Sequence, residues 1–424
     1  MDAWGLFWIF LTVFLFPFGY KPIIILLSIA SIFSAGKVFS IGSSDVPIFF
    51  FVEIMVILRL ILPNKNHKFL TFKDSTSFVY LLFIISLWLY TYLVANLFGD
   101  LRVFSSINTM EDNYRTGGVF LNWSSANINQ LMLLTAHLLL ALICYKRKDV
   151  ISKIFYFKTI VLTSLIFIFI SFIWKFQPDL YSIIGFYIFN NLGYAINALH
   201  EARLSGTFLE PSAAGLYIST LCIPFLVHEN KNIKLLGLVF IYLSFLNLSS
   251  TLFFSLIFSF LIIWFSTKLK LDYKVLWVML LIILISLLFF LFGDEFFSYI
   301  DSKSLSQSGE VRAEVNANSI VNIYKSYFFG IGLGSERTSS MFLTLFNNLG
   351  FLFGPLLIYI VYRLLSPIQN DKVGYTLRMM LLISFFGSFV SMPELTNPIM
   401  WNLIFANIFY RSSAIVDESK KGAN

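Results

Sequence analysis

The chain has 424 residues, 58% of them hydrophobic and 12% charged, with a mean hydropathy of +0.80 and a net charge of +7. Soluble domains carry about 25% charged residues, so this composition excludes a soluble globular protein. Basic residues confined to short loops also exclude a nucleic-acid surface.

From the N-terminus, the first apolar segment (5–18) is short and runs into Pro17, Gly19 and Pro22, which fit a turn or a kink. A flat course would leave the N-terminus cytoplasmic, and a crossing course would leave it outside. There is no basic leader or small-residue cleavage site, so this segment is expected to be retained. Apolar stretches at 78–98, 126–145, 155–174 and 273–292 are each long enough to cross about 30 Å of hydrocarbon.

Lys and Arg gather in the intervening loops: Arg59, Lys65, Lys68 and Lys73; Lys146, Arg147, Lys148 and Lys153; Lys231 and Lys234; Lys268, Lys270 and Lys274; Arg363, Lys372, Arg411, Lys420 and Lys421. The positive-inside rule makes these loops cytoplasmic. The prediction is an all-α, polytopic integral membrane protein in which residues 1–424 form a single domain in the lipid bilayer. Ten spans are expected from residue 78 onward and about 12 to 13 in all. Extracytoplasmic loops fall at 99–125, 175–205 and 293–338, and the last two are the large, chemically informative ones.

The 50 Phe are expected to pack helices and face lipid. Cys144 and Cys222 suggest no disulfide framework. His67, His137, His200 and His228 lack metal-ligand spacing, and there is no CxxC or HExxH, so neither a metal nor another cofactor is expected. Glu53 and Glu394 are the main mid-span charges, and Glu53 is expected to sit at a helix end, paired locally.

The 175–205 loop holds an apolar stretch at 181–196 interrupted by Gly and Asn, which predicts an interfacial or re-entrant helix able to act as a lid. His200, Glu201, Arg203 and Glu210 follow, with Pro211 suited to a first helical turn and Ala213, Ala214 and Gly215 small enough for close approach by a helix or a lipid-linked ligand. On these residues alone, Arg203 and Glu210 fit either of two arrangements. They could be a mutually neutralising cap, or a diphosphate site in which free backbone N–H groups and a guanidinium meet phosphate oxygens. The 293–338 loop predicts a helix after Ser308, with Glu310 and Glu314 on one face, and then a flexible turn, Gly330-Ile-Gly332-Leu-Gly334-Ser-Glu336-Arg337.

The pattern Arg203-Leu-Ser-Gly206-Thr-Phe with Glu210-Pro-Ser-Ala resembles the arginine motif of the O-antigen polymerase and ligase superfamily. Arg312, some twenty residues before the glycine turn, resembles its second loop arginine, and Asn347-Asn-Leu-Gly350-Phe-Leu-Phe-Gly354 resembles the helix after it. These features cover residues 200–356. Ligases of this kind carry a His-Asn pair where this chain has Ser339-Ser340, which favours the polymerase branch.

The resemblance implies a GT-C-like glycosyltransferase of the bacterial cytoplasmic (inner) membrane with its site facing the periplasm or cell exterior. Undecaprenyl-diphosphate-linked glycans would be its substrates, and a chain-length regulator is an expected partner. Arg203 and Arg312 would stabilise the departing diphosphate, and Glu210, or as second candidate Glu336, would take the acceptor proton. Arg337, Glu336, His200, Gly332 and Gly334 would contact substrate. The rival readings are an O-antigen ligase, or a lipid-linked oligosaccharide flippase or transporter. A transporter would be expected to carry charges in mid-span.

Overall fold

The computed structural model describes residues 2–41, 44–63, 70–105, 117–148, 150–190, 203–265, 279, 307–365 and 372–409. Asp2 caps α1 (Ala3–Leu15) by accepting from the Gly5 N–H at 2.8 Å. A 3-10 turn at Phe16–Phe18 and Gly19 then reverses the chain into α2 (Tyr20–Ala30). An antiparallel hairpin, β1 (Lys37–Ile41) and β2 (Ser44–Pro47), delivers α3 (Ile48–Ile61). α4 (Ser75–Leu97) starts at the Asp74 cap and leads to the short pair β3 (Arg102–Val103) and β4 (Val119–Phe120). Then come α5 (Ser125–Lys146), α6 (Lys153–Phe176) and the short α7 (Pro178–Ile188). The remaining helices are α8 (Pro211–Val227), α9 (Lys231–Asn247), α10 (Ser250–Phe265), α11 (Gln307–Lys325), α12 (Met341–Leu364), α13 (Lys372–Ser391) and α14 (Pro398–Ile408).

The described chain is therefore helical apart from two small strand pairs. Five helices, α4, α5, α6, α12 and α13, are long and apolar enough to cross a membrane. Large aromatics divide as a bilayer environment requires: Phe167, Phe225 and Phe240 fill the interior, while Phe78, Phe169 and Phe186 face outward.

Contacts sort the helix termini into two ends. At the first, Lys146 pairs with Asp74, Lys372 with Glu229, the Tyr20 hydroxyl donates to the Val150 carbonyl (3.2 Å), and Arg59 lies over the Phe16 ring. At the second, the Asn190 amide donates to Asp2 (2.7 Å), Asn129 to Ser44 (2.9 Å), the Leu204 N–H to the Leu246 carbonyl (2.9 Å), and Arg337 pairs with Glu394. Asp2 at one end and Phe16 at the other mean that the first segment runs the length of the bundle. Lys146, Arg147, Lys148, Lys153, Lys231, Lys234, Arg363 and Lys372 belong to the first end, and Arg203 and Arg337 belong to the second.

Two expected loops look different in the structure. Within 175–205, a helix spans Pro178–Ile188 and turns Leu180, Ile183, Phe186 and Tyr187 outward. The rest of the predicted 181–196 stretch, from 191, lies outside the described residues. Within 293–338, the described part is a helix followed by a return segment. α11 descends, and the segment after it returns against a break in α12 at Gly350 (φ 65). There the Ile331 and Gly332 N–H groups donate to the Asn347 and Asn348 carbonyls, both at 2.9 Å, and the Phe351 N–H donates to the Phe328 carbonyl at 3.0 Å. Gly350 is nine residues into α12, about 13 Å below its start at about 1.5 Å per residue. Irregular backbone at such depth must find partners within the protein, and these exchanged bonds provide them. A Cβ at Gly350 would collide with the Phe329 carbonyl, so only glycine fits the crossing.

Candidate functional site at the mouth of the bundle

Glu336 organises the second end. Its carboxylate is 2% exposed. Oε1 accepts from the Phe104 N–H (2.9 Å) and the Asn318 amide (2.7 Å), while Oε2 accepts from the Ser319 hydroxyl (3.0 Å) and the Asn347 amide. These donors come from the segment after β3, from α11 and from α12, so one side chain joins three elements. Burial pushes the Glu336 carboxyl above its ordinary pKa, and the four donors pull it partly back. The sequence predicts a substrate contact at Glu336, but its burial and bonding make it a positioning residue.

Arg312 stands on α11 one turn above Asn316, whose amide donates to the Ser339 hydroxyl at 2.7 Å, and two turns above Ser319. Its side chain is exposed. Val311 and Val315 beside it pack on Phe104. Arg337, next to the buried carboxylate, is exposed and paired with Glu394. The same assembly includes Arg102, whose carbonyl accepts from Asn318 (3.1 Å) and Asn322 (2.9 Å). Arg102, Arg312 and Arg337 thus lie on segments that Glu336 and its donors join.

Gly332 and Gly334 do not present an open turn. Both are buried, and a Cβ on Gly334 would lie 2.7 Å from the Ala126 carbonyl. The backbone there packs against α5, where Asn127 donates to the Leu333 carbonyl (2.8 Å) and the Ser335 hydroxyl (2.9 Å). Expected substrate contact at these glycines gives way to close helix packing. Ser339, at the position of the ligase histidine, is engaged with Asn316, and Ser340 caps α12.

Arg203 and Glu210 form a second neighbourhood between α7, α8 and α9. Residues 204–208 are buried, with the Tyr181 hydroxyl donating to the Gly206 carbonyl at 2.7 Å. Asn247, fully buried at the end of α9, donates to the Leu204 carbonyl (2.6 Å) and the Pro211 carbonyl (2.8 Å). It clamps both ends of the segment between Arg203 and Glu210. Pro211 opens α8 as predicted, and Glu210 is its N-cap, exposed and accepting from the Ser212 hydroxyl at 3.0 Å. The small residue Gly215 admits Ser249 and Asn247 of the α9–α10 turn. His200 lies outside the described residues.

The sequence reading gave no bonding role to Asn247, Asn316, Asn318 or Asn347. Asn247 ends a helix, where Asn reads as ordinary turn chemistry, the others lie within helices, and nothing local signals that their amides reach across the fold. The predicted helix-end position of Glu53 is also corrected. It is buried in the middle of α3 and sits 2.8 Å from His137 of α5. Glu394 lies in the connection between α13 and α14 instead of in a span. Among the described residues no cluster of His, Cys, Asp and Glu is placed to hold a metal ion. In comparisons with family models, curated proteins and solved structures, nothing matches this chain.

Proposed function

We propose that this protein polymerises undecaprenyl-diphosphate-linked oligosaccharide repeat units into O-antigen or capsular polysaccharide. The observation that supports the reading is that the segments of Arg203 and Arg337 lie at the end of the bundle opposite the lysine-rich one, with Arg312 and Glu210 exposed. By the positive-inside rule the lysine-rich end is cytoplasmic, which puts the arginine mouth outside the bacterial inner membrane. The expected count of about 12 to 13 spans belongs to the proposal, and the five long apolar helices among the described residues support a polytopic bundle.

In the reaction, the bond between the anomeric carbon of the growing glycan and its diphosphate breaks, and the electron pair leaves with undecaprenyl diphosphate. A hydroxyl of the incoming repeat forms the new glycosidic bond, and its proton passes to Glu210. Negative charge grows on the leaving diphosphate, so arginines held at the edge of a low-dielectric bundle stabilise the transition state more than the ground state. Ser339-Ser340 in place of the His-Asn pair supports polymerase over ligase.

A second reading, a flippase or transporter of the same lipid-linked glycans, is favoured by the buried Glu53–His137 pair and the discontinuous α12. Deleting the gene and separating surface glycan on a gel distinguishes the readings. Single-repeat product is expected for a polymerase, unattached polymer for a ligase, and no exported glycan for a flippase. Arg203→Ala and Arg312→Ala are each expected to abolish elongation at normal protein level, and near-normal ladders from both would refute the proposal.

A further inference from the structure

Inside the bundle, between α2, α6, α8 and α14, lies a cavity of about 10 Å³ whose wall includes Ser31, Thr163, Tyr217, Thr220 and Asn402. Two of these groups, the Tyr217 and Thr220 hydroxyls, are buried and meet no hydrogen-bond partner among the described residues. Thr12 and Thr163 bond locally, Thr12 to the Trp8 carbonyl (2.6 Å) and Thr163 to the Thr159 carbonyl (2.8 Å), whereas the buried Thr91 and Thr207 hydroxyls, like that of Thr220, meet no partner among the described residues. Thr220 makes no such bond and instead lines the cavity. Asn402 accepts from the Tyr156 hydroxyl (2.7 Å) and from Ser28 (3.2 Å), but its amide meets Ser31 only at 3.5 Å, which leaves donor capacity unused.

We propose that this cavity is a binding site for a single ordered water molecule, held by Tyr217, Thr220 and Asn402. The volume admits one water and not two. The wall supplies donors and hydroxyl lone pairs, the two to four partners such a water needs. The lining has no carboxylate, so a cation there would lack a counter-charge in a low-dielectric interior, and neutral water is the fitting occupant. The Tyr217 ring packs at 5.0 Å from Phe167 and 5.6 Å from Phe208. The water therefore lies under the segment that carries Arg203 and tethers α8 to α14 beneath the mouth. This holds whatever substrate the mouth takes.

Thr220→Val is near-isosteric, and the sign of its effect is diagnostic. With water bound, valine removes one of the water's partners and Tm falls. Without water, valine replaces an unsatisfied hydroxyl with a methyl group and Tm rises. The expected results are a lower Tm for Thr220→Val and for Tyr217→Phe, and a loss in the double variant smaller than the sum, because both lose the same water. A map of the unaltered protein that resolves ordered water should show one peak about 2.7–3.2 Å from both hydroxyls. An unchanged or raised Tm in either variant, additive losses, no peak, or a peak at the about 2.3–2.6 Å of a cation would overturn the proposal.

Discussion

Removing the Glu336 side chain gives the sharpest test of how the mouth is held together. In Glu336→Ala the Phe104 N–H and the Asn347 amide lose their acceptor deep in the protein, while the half-buried Asn318 amide can turn to water. A buried donor left unpaired costs about 1–3 kcal/mol, so two of them predict a loss of about 2–6 kcal/mol. Glu336→Gln should cost less than about 1 kcal/mol. The carboxamide oxygen keeps two donors, and its NH₂ can face the Ser319 oxygen, whose proton can go to the Val315 carbonyl (2.8 Å). Asn347 can flip to present Oδ1, which has no partner in the native arrangement.

The same substitution tests the titration. Because burial raises the folded-state pKa, the folded protein holds this proton more tightly than the unfolded chain. The associated stability is complete below the ordinary glutamate value of about 4.3 and is lost as pH rises through the folded value. Scanning fluorimetry in detergent at one fixed scan rate, over about pH 4 to 8, should show unaltered protein losing Tm with rising pH and Glu336→Gln lacking that component. Native stability in Glu336→Ala, or a Gln variant as damaged as the Ala variant, would refute the reasoning.

Gly350→Ala combines a left-handed φ with a Cβ directed at the Phe329 carbonyl, so a loss of at least about 2 kcal/mol is expected, seen as loss of monodisperse protein after extraction. Asn247→Asp turns a carboxylate toward two carbonyls that now receive hydrogen bonds. It should cost about 2–4 kcal/mol and stop elongation, whereas a native Tm with a full polymer ladder would dismiss the clamp. Arg203→Lys keeps the charge but loses the planar fork, and elongation measured by gel should fall about tenfold or more.

Composition and loop charge were enough to predict a helical membrane bundle with basic residues gathered at one end, because the cost of placing charge in hydrocarbon constrains every span. Helix starts were legible where chemistry is local, as at Pro211. The return segment after α11 was not. Its glycines fit a flexible turn as well as a buried crossing, and the deciding fact, that Phe328–Gly332 trades hydrogen bonds with a broken helix, involves residues some twenty positions apart. Glu53 escaped for a related reason. Its partner His137 lies on a different helix, and neither residue has a neighbour in sequence that reveals the pairing.

Each candidate arginine lies beside a polar side chain that ties its segment to another element: Asn316 ties α11 to Ser339, Glu336 ties the segment of Arg337 to α11 and α12, and Asn247 of α9 holds the segment after Arg203. Mostly neutral donors suit this task, since they fix a backbone without the desolvation cost of a buried ion pair. The two neighbourhoods also meet through one helix. α13 packs against α8, which follows Glu210, and against α12, which anchors Glu336. Its outer connection carries Glu394, the partner of Arg337, and Leu395, whose carbonyl accepts from the Trp401 indole at 2.8 Å. Trp401 in turn stacks on His137 at 4.9 Å. The connection after α13 is thereby linked to α14 and, through Trp401, to the buried Glu53–His137 pair.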